Sequence, residues 1–239
     1  MDRLFVWAGG AVFVSSLVYC AYSYLFRWSG GGAGGGWRAC LFNAVLLSAF
    51  ATHHSLFARD TVKQWLARHL PERLLKSVYV WTAALLFLVA CGFWQPIGGE
   101  LYDAGGWRWA LHIGVQLLGL WLIARAVATI DPLELAGIRP QRRRDVAGEA
   151  KEASGRAASE RLQVVGPYRL VRHPLYFGWL LVVFGAPHLT GDRAAFSVIT
   201  NLYLVLAIPW EERSLTAEFG EEYERYKRRV RWKMVPYVY

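Results

Sequence analysis

The sequence predicts an all-α integral membrane protein of about six transmembrane helices with a cytoplasmic C-terminal helix, and three observations predict it. Hydrophobic residues make up 55% of the 239 positions and charged residues only 19%, more apolar surface than a water-soluble domain of this length can hide. The apolar residues gather into six runs of roughly 17 to 24 residues, about what a helix needs to cross a hydrocarbon core. The basic residues sort to one side of those runs, as Lys and Arg do on the cytoplasmic side of short loops.

The first run, 4–26, is long and followed at once by a second, so it reads as a retained anchor and not as a cleaved signal. The others cover 37–57, 77–97, 107–130, 174–189 and 194–210. With both termini cytoplasmic, the inner segments hold one basic residue before the first run, five between the second and third, nine between the fourth and fifth and seven after the sixth, 22 of the 27 in all. Arg27, Arg38, Arg108 and Arg193 fall at the outer side and Arg125 within a helix. The expected location is therefore the cell membrane, multi-pass, with both termini cytoplasmic. The net charge of +9 follows from this topology and from attraction to anionic headgroups, without nucleic acid as a partner.

Between the runs, GGGAGGG at 30–36 predicts a flexible outer loop and not a phosphate cradle, which would follow a strand. Segment 60–76 mixes basic residues with Val62, Trp65, Leu66, Leu70, Leu74 and Leu75 near helical spacing, an amphipathic piece that Pro71 divides. Segment 141–163 is polar and reads as a mobile cytoplasmic loop. Over 211–230, Leu215, Phe219, Tyr223 and Tyr226 recur every three or four residues, one apolar face of a cytoplasmic helix. No period-two strand pattern stands out. Cys20, Cys40 and Cys91 lie in apolar runs without metal-site spacing, so no metal is expected. His112 and Arg125, inside the fourth run, are expected to face the bundle, because polar side chains in lipid are costly. Three regions result: 1–130, four transmembrane helices; 131–173, a cytoplasmic loop and motif; 174–239, a transmembrane hairpin and C-terminal helix.

Chemistry concentrates in two places. Gly166-Pro167-Tyr168-Arg169-Leu170-Val171-Arg172-His173-Pro174-Leu175-Tyr176-Phe177-Gly178 brings ionisable and aromatic groups to the start of the fifth run. Pro174 suits a first helical turn, where free N–H groups can meet an anion. Glu211-Glu212-Arg213 follows the sixth run, and two adjacent carboxylates at a membrane boundary need partners. A short outer connection makes the last two runs a hairpin, so its inner ends bring Arg172 and His173 beside Glu211 and Glu212.

The pattern G-P-Y-R-x-x-R-H-P-x-Y-x-G, a hydrophobic hairpin, then E-E-R-x-L-x-x-x-F-G-x-x-Y-x-x-Y, resembles the isoprenylcysteine carboxyl methyltransferase and phospholipid methyltransferase superfamily over 166–236. Upstream, His53-His54-Ser55-Leu56-Phe57-Ala58-Arg59 and 72–81 resemble the bacterial NnrU-like branch, which includes proteins similar to methanethiol S-methyltransferase. The resemblance implies transfer of a methyl group from S-adenosylmethionine to a small thiol, or otherwise to a lipid or prenyl acceptor. It implies a cofactor site bordered by Tyr168, His173, Pro174, Tyr176, Gly178, Glu211, Glu212, Tyr223 and Tyr226. His54, Arg172 and Glu212 are the candidate catalytic residues, His54 and Arg172 because the thiolate is the nucleophile and a base or a cation favours it. Two other readings compete: an NADPH-dependent membrane reductase of the sterol-reductase type, and a non-enzymatic haem-binding membrane protein using His53, His54, His112 or His173.

Overall fold

The structure, a computed structural model, describes residues 2–57, 59–69, 71–129, 162 and 164–239. The loop expected over 141–163 lies outside these residues, Leu162 excepted. Helix α1 spans Asp2–Leu25 and is followed by a 3-10 turn, Arg27–Ser29; α2 spans Gly36–Phe57, α3 Asp60–Ala67 and α4 Glu72–Gly92. Strand β1 (Glu100–Asp103) leads to α5 (Trp107–Thr129). A 3-10 turn at Gly166–Arg169 then precedes α6 (Pro174–Phe184), β2 (His188–Thr190), α7 (Gly191–Phe219) and α8 (Glu221–Arg229). As Pro71 predicts, the 60–76 segment is split, α3 ending before it and α4 starting after it.

Among the described residues, five helices are long and apolar enough to cross a membrane: Arg3–Ser29, Gly36–Phe57, Leu74–Gly92, Trp107–Thr129 and Gly191–Phe219. Leu111, Leu117, Leu118, Leu120 and Trp121 stand exposed along α5, a surface suited to lipid and not to water. Helix α1 packs on α4, α2 lies between α4 and α7, and α6 packs on α5.

The expected fifth span is built differently. Helix α6 has only 11 residues, about 16 Å at 1.5 Å per residue and roughly half a hydrocarbon core. The chain completes the pass in extended form and ends in β2, which pairs antiparallel with β1 through Glu100↔Thr190, Tyr102↔Leu189 and Asp103↔His188. These strands of four and three residues are too short to leave a period in the sequence. A helix ending inside a membrane bares its last carbonyls, which hydrocarbon cannot satisfy. Here side chains from four elements meet them: Gln116 donates to Val182 O at 2.9 Å, Ser197 and Tyr24 to Val183 O, His112 to Gly185 O, and Tyr102 to Ala186 O at 3.0 Å. His112 thus faces the bundle as expected, whereas Arg125 is exposed near the end of α5, where a long cationic side chain reaches toward headgroups.

Two glycines let α5 and α6 touch. A Cβ on Gly178 would lie 2.7 Å from Gly119 O, and one on Gly119 would lie 2.6 Å from Gly178 O, the close approach that small residues permit between membrane helices. Gly178→Ala is expected to cost about 1–3 kcal/mol through overpacking, read as a lowered melting temperature in detergent; an unchanged value would show that the helices separate freely.

The 30–36 run is not a free loop. Gly35 N–H donates to Pro96 O, Gly36 N–H to Ile97 O and Gly99 N–H to Gly32 O. Side chains at Gly34 would collide with the Ile97 and Gly98 backbone, so glycine serves contact there and not flexibility. The C-terminal helix expected over 211–230 is also divided: α7 continues through Pro209 to Phe219, and Gly220, at φ 54° and ψ −129°, turns the chain into α8. That conformation is open to glycine and strained for other residues.

Candidate active site

Leaving the 3-10 turn, the chain reaches Pro174 through a short irregular stretch, and this stretch is clamped to the C-terminal tail. Arg172 N–H donates to Trp232 O at 2.9 Å and His173 N–H to Lys233 O at 2.7 Å. The Arg172 side chain, 8% exposed, donates through Nε to Glu212 Oε1 at 2.6 Å and through Nη1 to Val230 O and Arg231 O at 2.8 and 2.9 Å. The Arg172 and His173 N–H groups just ahead of α6 are therefore already used by the tail.

His173 sits between the two carboxylates. Its Nδ1 lies 3.5 Å from Glu211 Oε2 and its Nε2 3.4 Å from Glu212 Oε1. Its ring stacks on Tyr176 at 5.3 Å and 12°, and Tyr176 OH donates to Glu211 Oε2 at 2.7 Å. The carboxylates differ in availability: the Glu211 side chain is 43% exposed and that of Glu212 13%. Glu212 is matched by Arg172, and Glu211 is the more accessible acid of the two.

Helix α8 closes the site. Tyr223 and Tyr226 are buried, with Leu162, Val164, Leu215 and Phe219 packed around them. Tyr226 OH donates to Tyr168 O at 2.7 Å. Tyr223 OH is buried without a hydrogen-bond partner among the described residues. Burial, then the Glu212 charge, pushes the Tyr223 phenol up, and burial with Glu211 pushes Tyr168 up to about 12. Both phenols keep their protons at physiological pH and act as donors. Of the other expected site residues, Pro174 is buried at the first turn of α6, and Gly178 lies where that helix crosses α5.

A second polar group lies on α2, α4 and α7. His54 Nδ1 is 2.6 Å from Tyr79 OH, and Ser55 Oγ is 3.3 Å from Tyr203 OH. The His54 ring packs against Tyr79 at 5.5 Å and edge-on against Tyr203 at 6.3 Å. Tyr203 and Glu211 share α7, about two turns apart, which sets the second polar group along the helix from the first. Tyr79, Tyr203 and the tail carbonyls of 230–233 are contacts of these candidate residues that the sequence motifs do not point to. A tyrosine inside an apolar run was the available signal for the first two.

Known proteins align with most of this architecture. A methanethiol S-methyltransferase of Bradyrhizobium diazoefficiens is 38% identical over 194 residues, 81% of this chain and 72% of that protein. One of Pseudomonas deceptionensis is 30% identical over 206 residues, covering 83% and 74%. The chain belongs to the methanethiol S-methyltransferase family. An alignment of 194 residues extends well beyond the 166–236 motif region, so family membership takes in the helices that carry His54 and Tyr79. Nurim of Sus scrofa is 30% identical over 182 residues, 71% of this chain and 65% of that protein, which extends the similarity to a second group of the superfamily named above. No family profile matches the chain, and no solved structure matches it.

Proposed function

We propose that this membrane methyltransferase moves a methyl group from S-adenosylmethionine to a small thiol at the cytoplasmic face of the cell membrane, with both termini cytoplasmic. The observation that carries the reading is family membership over most of the chain, joined to the polar pocket between α6, α7 and α8. The positive-inside bias supports the orientation.

The donor set suits such a cofactor, whose carboxylate, ammonium, ribose, adenine and sulfonium each need a partner. Glu211 is accessible and acidic, fit for the ammonium or a ribose hydroxyl. Tyr223 OH is a buried donor still lacking an acceptor. The faces of Tyr176 and Tyr168 suit an adenine ring or a sulfonium cation. Bound there, the cofactor supplies a methyl group already activated on sulfur. The chain's own task is then positioning and exclusion of water, with no covalent nucleophile. His173 is the hinge of the pocket, orienting Glu211 and Glu212 from its two ring nitrogens. The region over 174–239 thus holds the donor.

Calorimetry with S-adenosylhomocysteine on purified, detergent-solubilised protein tests the reading. Wild type is expected to bind saturably, and His173→Ala and Glu212→Gln each about tenfold or more weaker, a loss of about 1.4 kcal/mol, while both still insert in membranes. Headspace detection of dimethyl sulfide from methanethiol then tests the acceptor. Absence of binding by well-folded wild type would sink the proposal. The relatives' names favour methyl transfer over the reductase and haem readings.

A further inference from the structure

Between α2 and α7 runs a groove of about 390 Å³, walled by Phe50, Phe87 and Leu206 and by the hydroxyl-bearing Ser55, Thr200 and Tyr203, with the exposed Arg59 as its one charged lining residue. Leu202 and Leu206 on its rim are each 56% exposed, so it opens sideways toward lipid and not only toward water. At its inner end Ser55 and Tyr203 meet at 3.3 Å. Behind them is the His54–Tyr79 pair, at 2.6 Å. Glu211 of the donor pocket, which accepts from Tyr176, follows Tyr203 by about two turns of α7. An apolar way in, a histidine–tyrosine pair and the donor pocket are therefore consecutive.

We propose that His54, Tyr79, Ser55 and Tyr203 form the acceptor half of the reaction centre, taking a small uncharged thiol from the groove, with His54 as the base that receives its proton. This rests on the methyl-transfer reading and adds the acceptor's place and its proton's destination. A thiol in an apolar groove arrives protonated, because burying a thiolate there would be costly, yet the thiolate is the nucleophile. Of the donor pocket's carboxylates, Glu212 is paired with Arg172 and Glu211 is the one assigned above to the cofactor. His54 presents both nitrogens to the Tyr79 hydroxyl, Nδ1 at 2.6 Å and Nε2 at 3.3 Å; in the tautomer this assignment uses, Nδ1–H donates to the hydroxyl oxygen and the more distant Nε2 carries the lone pair that takes the proton. The titratable groups facing it are His53 on its own helix, Tyr79 on α4 and Tyr203 on α7. None is a carboxylate, so none holds the imidazole protonated before the thiol arrives. In the step, the S–H proton passes to His54 Nε2 and the sulfur pair forms the new S–CH₃ bond. The methyl–sulfonium bond of the donor breaks, its electron pair returning to the donor sulfur, and His54 afterwards releases the proton to solvent. His54 touches the substrate and is catalytic; Tyr79 acts through His54 and is a positioning residue.

The test compares wild type, His54→Gln and Tyr79→Phe in detergent, measuring S-adenosylhomocysteine affinity and methanethiol turnover from pH 6.5 to 9.5. His54→Gln is expected to keep its cofactor affinity and lose about 10²-fold or more in kcat near neutral pH, the usual worth of a general base. Its deficit should shrink about tenfold per pH unit, because solution supplies the thiolate as pH rises. Tyr79→Phe should lose about tenfold in kcat with KM unchanged, and should show the same pH trend. A deficit that stays constant across pH, or no deficit, overturns the assignment of His54 while leaving the donor pocket intact. Loss of cofactor affinity in both variants also overturns it, since the pair would then belong to the donor half. Wild type that binds no S-adenosylhomocysteine fails the underlying reading instead.

Discussion

Arg172→Ala is expected to destabilise the folded protein by about 3–5 kcal/mol, the range for leaving one partner of a buried ion pair without the other. Glu212, whose side chain is 13% exposed, would keep a carboxylate in a site that no longer holds its cation. Two tail carbonyls, Val230 O and Arg231 O, would lose their donor as well. Adding Glu212→Gln to Arg172→Ala removes the stranded charge, so the double variant should melt above the Arg172→Ala single variant. Thermal unfolding in detergent measures this. Equal melting of single and double variants would mean that the tail carbonyls, and not the ion pair, carry the loss. Arg172→Lys is not expected to rescue, because a lysine offers one ammonium where a planar fork serves a carboxylate and two carbonyls. Loss of turnover in Arg172→Ala would accordingly report collapse of the pocket's frame. Arg172, a catalytic candidate on sequence, is placed by its contacts as the fastening between α6, α7 and the tail.

That reassignment marks how far the sequence could be read. Helix positions came from run length and from Pro71, since a lipid environment imposes both length and apolarity on a spanning helix. The meeting of His173 with Glu211 and Glu212 followed from topology alone: two passes joined at the outer side return their inner ends to one place. What stayed hidden depended on tertiary partners. Helix α6 stops at Gly185 with Pro187 just beyond, a stop signal the sequence carries; what no local pattern records is that Gln116, Ser197, Tyr24, His112 and Tyr102 satisfy the carbonyls left free there. The 30–36 glycines look like a linker by composition, yet their need is close backbone contact with 96–99. Glu211 and Glu212 are adjacent letters with opposite fates, which only burial separates.

At the opposite end of α7, Asp192→Ala is expected to cost about 3–5 kcal/mol as well, and for a different reason. Asp192 is 3% exposed and accepts from Trp94 Nε1 at 2.7 Å, Ile97 N at 3.0 Å and Gly98 N at 3.5 Å. Hydrogen bonds to a charged group contribute about 1.5–3 kcal/mol each without adding fully, and removal leaves an indole and two backbone donors unsatisfied. Its neighbour Arg193, equally buried, donates to Tyr24 O, Leu25 O and His188 O, closing the last carbonyls of α1. The two residues together join α1, α4 and β2 to the start of α7. Asp192→Asn keeps an acceptor oxygen and should lose about 1–2 kcal/mol. The decisive comparison is with the site: the folded fraction of Asp192→Ala should bind S-adenosylhomocysteine within about twofold of wild type, unlike Arg172→Ala. Asp192 and Glu211 lie 19 residues apart on this helix, about 29 Å at 1.5 Å per residue, so the fastening is far from the chemistry. An equal loss of affinity would mean that the outer latch sets where Glu211 and Glu212 stand along that helix.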